Sequence, residues 1–88
     1  MTILSFKQVA ARRGYSMSSF KREMKADPDH PIPVDLATNR KGILEEHEEA
    51  YQELKFLKKL WLQGKPVAKA IERARAILHG EDKFDNAA

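Results

Sequence analysis

The sequence predicts a mainly α-helical fold with a small two-stranded β wing, in the arrangement of a winged helix-turn-helix followed by a C-terminal helical hairpin. Three observations predict it: two short capped helices separated by three residues, two short apolar runs around a polar turn, and two longer amphipathic segments joined by a Gly-Lys-Pro break. We therefore place the winged domain at residues 1–57, a C-terminal helical extension at 58–80 and a flexible tail at 81–88.

The first helix is predicted over residues 6–13. Ser5 and Gln8 have the spacing of a capping box, in which each side chain satisfies a backbone N–H of the first turn. Phe6 and Val9 follow at helical spacing, and Gly14 stands where a left-handed residue usually ends a helix.

A second helix is predicted from the cap Ser16 to about Lys25. Met17, Phe20 and Met24 recur on one face and are expected in the core. The outward face carries small polar and cationic side chains: Ser18, Ser19, Lys21, Arg22 and Lys25. A helix-turn-helix and an ordinary helical hairpin with a solvated basic face both fit this pattern.

A small hairpin should follow the prolines of residues 27–31, which end the second helix. Residues 32–36 alternate as a short strand in which Pro33 requires an edge position, and residues 42–44 form the return strand. The polar turn of residues 37–42 gives the hairpin a cationic tip, with Arg40 and Lys41 beside Asn39.

The second half of the chain predicts two antiparallel helices. Four glutamates at the start of the third helix (Glu45, Glu46, Glu48 and Glu49) complement the positive end of its dipole. Gly64 ends that helix, and Pro66 is expected in the first turn of the next. The facing apolar stripes are Leu57, Leu60 and Trp61 on one helix and Val67, Ile71, Ala74 and Leu78 on the other.

Three further apolar residues, Phe56, Leu62 and Ile77, lie off these stripes. In one interpretation the helical pair only enlarges a small core. In the other it leaves an exposed apolar patch, which usually marks an interface. The second interpretation predicts self-association through the C-terminal helices, in solution or between neighbours on a shared ligand.

Composition argues against an enzyme. The chain has 88 residues, enough for one domain, with 42% hydrophobic and 33% charged residues and no cysteine. Its three histidines are scattered, so we expect no metal site and no cofactor. No segment has the pattern of a membrane span or of a signal peptide, and a cytoplasmic protein without a membrane partner is expected.

The charge distribution favours a polyanionic partner. Residues 1–44 carry eight Lys/Arg against four Asp/Glu, whereas residues 45–88 carry eight against nine. A one-sided basic surplus is a plausible footprint for double-stranded DNA. The candidate DNA-binding residues lie on the second helix and the hairpin: Ser16, Ser18, Ser19, Lys21, Arg22, Lys25, Asn39, Arg40 and Lys41.

Residues 3–57 resemble the AlpA-type proteins and phage excisionases that share a MerR-like winged helix-turn-helix. The resemblance lies in an apolar pair and a Lys-Gln-Val-Ala helix, a glycine before a serine-rich helix with Phe20, a Pro-x-Pro-Val strand, a basic turn, and a strand that leads into an acidic helix. Gly42-Ile43-Leu44 stands where the family often has an aromatic residue, and the chain beyond Leu57 has no counterpart in the minimal domain.

The resemblance implies a recombination directionality factor or a small transcriptional regulator of a mobile element, associated with a bacterial nucleoid. Such proteins do not themselves cleave or join DNA strands. They bind repeated DNA sites, often cooperatively, and help an integrase assemble its excision complex or control its expression. The alternative is a helical protein-interaction module, such as an adaptor or an antitoxin-like inhibitor, which has no need of a cationic hairpin tip.

Overall fold

The computed structural model describes residues 2–79. Over that range the chain is mainly helical, with four helices and a three-stranded antiparallel sheet. The elements follow the order β1 (Ile3–Ser5), α1 (Phe6–Arg13), α2 (Met17–Ala26), β2 (Val34–Ala37), β3 (Arg40–Leu44), α3 (Glu45–Leu62) and α4 (Ala68–His79). The predicted tail, residues 81–88, lies outside the described residues.

The first two helices begin and end where their capping signals predict. Ser5 Oγ accepts from the Gln8 N–H at 3.1 Å, and Gln8 Oε1 accepts from the Ser5 N–H at 2.8 Å, which completes the capping box of α1. Gly14 has φ 73°, a left-handed conformation that costs glycine little, and α1 ends there. Ser16 caps α2 through the N–H of Ser19.

The prediction of a two-stranded sheet is wrong, because the residues before α1 form a third strand. β1 pairs antiparallel with β3, and the order across the sheet is β1-β3-β2. Gly42 makes this pairing possible, since a Cβ at this position would overlap the backbone oxygen of Leu4 and the side chain of Ile3. The Glu45 N–H donates to the Thr2 carbonyl at 2.9 Å and extends the contact into α3.

The hairpin turn is shorter than predicted. Only Thr38 and Asn39 lie between β2 and β3, and Asn39 takes φ 63°, a left-handed conformation that asparagine tolerates. Arg40 and Lys41 therefore belong to β3 rather than to the turn. At the other end of the hairpin, β2 begins after Pro33, so proline's missing N–H falls outside the ladder.

Two apolar clusters form the core. The N-terminal cluster joins β1, α1, α2 and β3, and consists of Leu4, Val9, Ala10, Phe20 and Ile43, with Phe6 and Met24 packed against it. The second cluster joins the antiparallel helices α3 and α4, and consists of Ala50, Tyr51, Leu54, Leu57, Ile71, Ala74 and Leu78, with Leu60, Val67 and Ala70 against it. The helical pair thus has a core of its own, as the facing stripes predict.

Three details of the predicted helix packing are wrong. Met17 is exposed, because it is the first residue of α2 and lies one turn before Phe20, where the helix enters the core. Trp61 is 53% exposed, and Leu60 is the residue in the last turn of α3 that packs against the α3–α4 cluster. α4 begins at Ala68, so Pro66 precedes the helix rather than standing in its first turn. Phe56, Leu62 and Ile77 are exposed, as the second interpretation of the helical pair predicts.

Candidate nucleic-acid interface

The outer face of α2 carries four exposed polar side chains. Ser18, Lys21, Arg22 and Lys25 are all exposed, and their spacing places them within a sector of about 100° of the helix. Phe20, on the opposite face, is fully buried. Within residues 2–79, none of the three cations forms an ion pair. We call these four residues the α2 face.

The two remaining serines of this segment have a structural task at the start of α2. Ser16 Oγ accepts from the Ser19 N–H and donates to Ser19 Oγ, both at 3.2 Å. Ser16 is exposed and Ser19 is half-buried, so they lie at the margin of the α2 face rather than within it. The Ser16 hydroxyl caps the helix, and the Ser19 hydroxyl is its hydrogen-bond partner.

The acidic side chains of α2 and the loop after it turn away from the α2 face and towards α3. Glu23 accepts from Lys55 at 2.9 Å, and Asp29 accepts from Lys58 at 2.6 Å. Burial alone would raise the pKa of both carboxyls, but the hydrogen bonds and charges of the neighbouring lysines and arginines together outweigh burial, and both pKa values lie below the ordinary range. Glu23 and Asp29 thus neutralise cations of the C-terminal half, and the α2 face carries no acidic side chain.

Asp27, like Glu23 and Asp29, binds a side chain of α3. It accepts from the Tyr51 hydroxyl of α3 at 2.6 Å and from the backbone N–H of Asp29 at 2.9 Å. Burial would raise its pKa, but the hydrogen bonds from Tyr51 and from the Asp29 N–H, together with the charge of Lys58, outweigh burial and lower it. Burial and the hydrogen bond to Asp27 raise the pKa of Tyr51, so the Tyr51 hydroxyl stays protonated and donates. This contact closes the loop after α2 against α3.

A buried arginine fixes the position of α2. The side chain of Arg13 is only 1% exposed. It donates through Nε and Nη2 to Glu48 of α3, whose side chain is 4% exposed, and through Nη1 to Glu23 of α2 at 2.7 Å. Its guanidinium carbon lies 5.2 Å from the ring centre of Phe20 and 4.8 Å from that of Tyr51. One side chain therefore joins α1, α2 and α3.

His30 completes this cluster as a neutral ring. Arg13 Nη1 lies 2.9 Å from His30 Nε2, and because arginine can only donate, Nε2 must accept. The proton is then on Nδ1, which donates to the Pro31 carbonyl at 2.9 Å. Burial and the charge of Arg13 lower the pKa of His30, although the bond to Pro31 opposes them. The ring packs edge-on against Phe20 and Tyr51.

Sequence patterns missed this cluster. The sequence placed Arg13 in the last turn of the first helix, and Glu48 among the four glutamates that complement the helix dipole. Glu48 lies in the first turn of α3, as expected, but it is also buried, and that burial was not predicted. The two residues are 35 positions apart, and neither local spacing nor composition distinguishes Arg13 from Arg12, whose side chain is 48% exposed and pairs with Glu45.

The hairpin residues lie on a separate element and are not equivalent to one another. Arg40 and Lys41 are neighbours in β3, so their side chains project to opposite faces of the sheet. Lys41 forms an exposed ion pair with Asp35 across the hairpin at 2.5 Å, whereas Arg40 forms none within residues 2–79. Asn39 is exposed in the turn. Arg40 is therefore the stronger candidate for a phosphate contact.

Residues 2–79 contain no group of three or more His, Cys, Asp or Glu side chains arranged to hold a metal ion. In the same range, no helix has both the length and the apolar character to cross a membrane. Comparison of the chain with protein-family models, with curated proteins and with solved structures finds no match.

Proposed function

We propose that the protein binds double-stranded DNA in a winged helix-turn-helix manner, with the α2 face in the major groove and the β2–β3 hairpin on the adjacent backbone. A helix of this size with serine, lysine and arginine outward suits base edges and phosphates. The order of the elements, two helices with a three-residue connection and then a hairpin, supports this use.

One observation carries the proposal: the acids of the N-terminal half are withdrawn from the α2 face. A solvated helix that only needs solubility usually mixes charges of both signs on its outer surface. Here Glu23 and Asp29 pair with Lys55 and Lys58, which leaves Lys21, Arg22 and Lys25 without a neutralising neighbour in the described chain. Such a surface attracts a polyanion, and binding releases the counterions condensed on that polyanion.

The biological role follows from the resemblance of residues 3–57 to AlpA-type proteins and excisionases. We propose a non-enzymatic factor of a mobile element that occupies repeated sites, either to promote excision by an integrase or to regulate transcription. The helical protein-interaction module remains the alternative, and Phe56 and Ile77, exposed on α3 and α4, favour it for that part of the chain.

Selection of genomic DNA fragments by the purified full-length protein tests the proposal. We expect enrichment of fragments that share a repeated motif beside an attachment site or a promoter. Arg22→Ala should weaken binding to the selected site by about 1–3 kcal/mol and largely spare random duplex. Lys65→Ala, which removes one exposed charge from the α3–α4 connection, should change neither. No enrichment over bulk DNA would refute sequence-specific binding.

A further inference from the structure

The C-terminal hairpin has one side that faces away from the rest of the protein. Arg75 lies 3.4 Å from Asp29 and so faces the N-terminal half. Ile77 follows two residues later, about 200° further around α4. Trp61 of α3 lines a groove together with Arg75 and so lies on the same side of the hairpin as Arg75. Phe56 precedes Trp61 by five residues and therefore lies about 140° away from it around α3. Phe56 and Ile77 therefore share the side opposite the contact with Asp29.

Each helix contributes one ridge to this side. Glu49, Glu53 and Phe56 recur at intervals of four and three residues on α3, and Ala70, Arg73 and Ile77 recur at intervals of three and four on α4. Phe56 is 59% exposed and Ile77 is 47% exposed. We call these six residues the outer face. Within residues 2–79, neither glutamate nor Arg73 forms an ion pair.

The two ridges are complementary to each other. The α3 ridge joins two negative charges to an aromatic ring, and the α4 ridge joins a positive charge to a small and a branched apolar side chain. Because α3 and α4 are antiparallel neighbours, a two-fold axis along the hairpin places the α3 ridge of one copy on the α4 ridge of the other. Each acidic ridge then lies opposite the ridge of the other copy that carries Arg73.

We propose that the outer face is the interface of a symmetric dimer of this chain. A partner with a single sign of charge would match one ridge and oppose the other, whereas a second copy matches both. The interface uses no residue of the α2 face or the β2–β3 hairpin. The proposal is therefore independent of the DNA-binding function, and either can fail without the other.

Sedimentation equilibrium of the full-length protein over a wide concentration range tests the dimer. We expect a monomer–dimer equilibrium that Phe56→Glu weakens by roughly tenfold or more, because the side chain loses its apolar contact and gains a charge beside two glutamates. Leu62→Glu is the matched control. Leu62 is 85% exposed but lies outside the outer face, so its replacement should leave the dissociation constant within about twofold. Unchanged circular dichroism of both variants excludes unfolding.

A charge exchange separates this interface from unspecific apolar contact. Glu53→Arg and Arg73→Glu should each weaken the dimer, and the combined variant should recover much of the loss, because the complementarity is restored with reversed sign. The proposal is overturned if the wild-type chain is monomeric throughout, if Leu62→Glu weakens association as much as Phe56→Glu, or if the combined variant is weaker than both single ones.

Discussion

Arg13→Met should remove more stability than any exposed charge substitution in this protein. The variant keeps an unbranched side chain of similar reach but leaves Glu48, 4% exposed, without a cation. Breaking a buried pair by removing one partner costs about 3–5 kcal/mol. A chain of this length has a total stability of roughly 4–13 kcal/mol, so the variant loses a large share of it.

The expected change in melting temperature follows from the same figure. In a domain of this size, each kcal/mol shifts Tm by about 4–8 °C. A loss of about 3 kcal/mol therefore lowers Tm by roughly 12–24 °C, measured by thermal denaturation followed by circular dichroism. Arg12→Met is the matched control, since its ion pair with Glu45 is exposed and such pairs contribute about 0–1 kcal/mol.

A double variant identifies the buried charge as the cause. Arg13→Met with Glu48→Met leaves no unpaired carboxylate beneath α1, and replacement of a whole buried pair by apolar side chains is often close to neutral. Its Tm should lie well above that of Arg13→Met alone. Equal Tm values for the Arg12 and Arg13 single variants would refute the central role of Arg13, and so would a double variant that is no more stable than Arg13→Met.

Three further outcomes are expected. The pKa of His30 lies below its ordinary value of 6.5 because the ring is buried beside Arg13. The neutral ring therefore contributes its full stabilisation above pH 6.5, and this contribution is lost as pH falls through the lower pKa of the folded state. Denaturant titrations should show decreasing stability from neutral to mildly acid pH, and His30→Gln should flatten this decrease. Arg40→Ala should reduce the slope of log K against log salt by about one unit, and Lys41→Ala by less, because Lys41 already has an ion-pair partner; equal changes would contradict the unequal roles. Gly42→Ala should lower the free energy of unfolding by about 1–3 kcal/mol, because the new Cβ meets the β1 backbone, and a Tm equal to that of the wild type would show that β1 does not pair with β3.

Local signals in the sequence predicted most element boundaries. The capping box at Ser5, the left-handed Gly14 and the cap Ser16 each act through backbone groups a few residues away, so a short window contains the whole interaction. The cationic outer surface of α2 was predicted for the same reason, because spacing along one helix fixes which side chains share a face.

What the sequence did not predict depends on contacts between distant segments. β1 has only three residues and forms a strand because β3 offers it a partner 39 positions away in the register of Leu4 with Ile43. The burial of Glu48 was not predicted, because its partner Arg13 lies on a helix 35 positions earlier in the chain. The withdrawal of Glu23 and Asp29 from the α2 face also needs α3 in place, and it could not be read from composition.

The salt dependence of DNA binding by two matched double variants tests the central claim most directly. Lys21→Ala with Lys25→Ala removes two cations from the α2 face, and Lys59→Ala with Lys65→Ala removes two exposed cations from the C-terminal half. Each phosphate contact contributes about 0.9 to the slope of log K against log salt. We expect the first variant to lose roughly two units of slope and the second to keep the wild-type slope. Equal slopes for the two variants, or no salt dependence in the wild type, would contradict DNA binding through the α2 face.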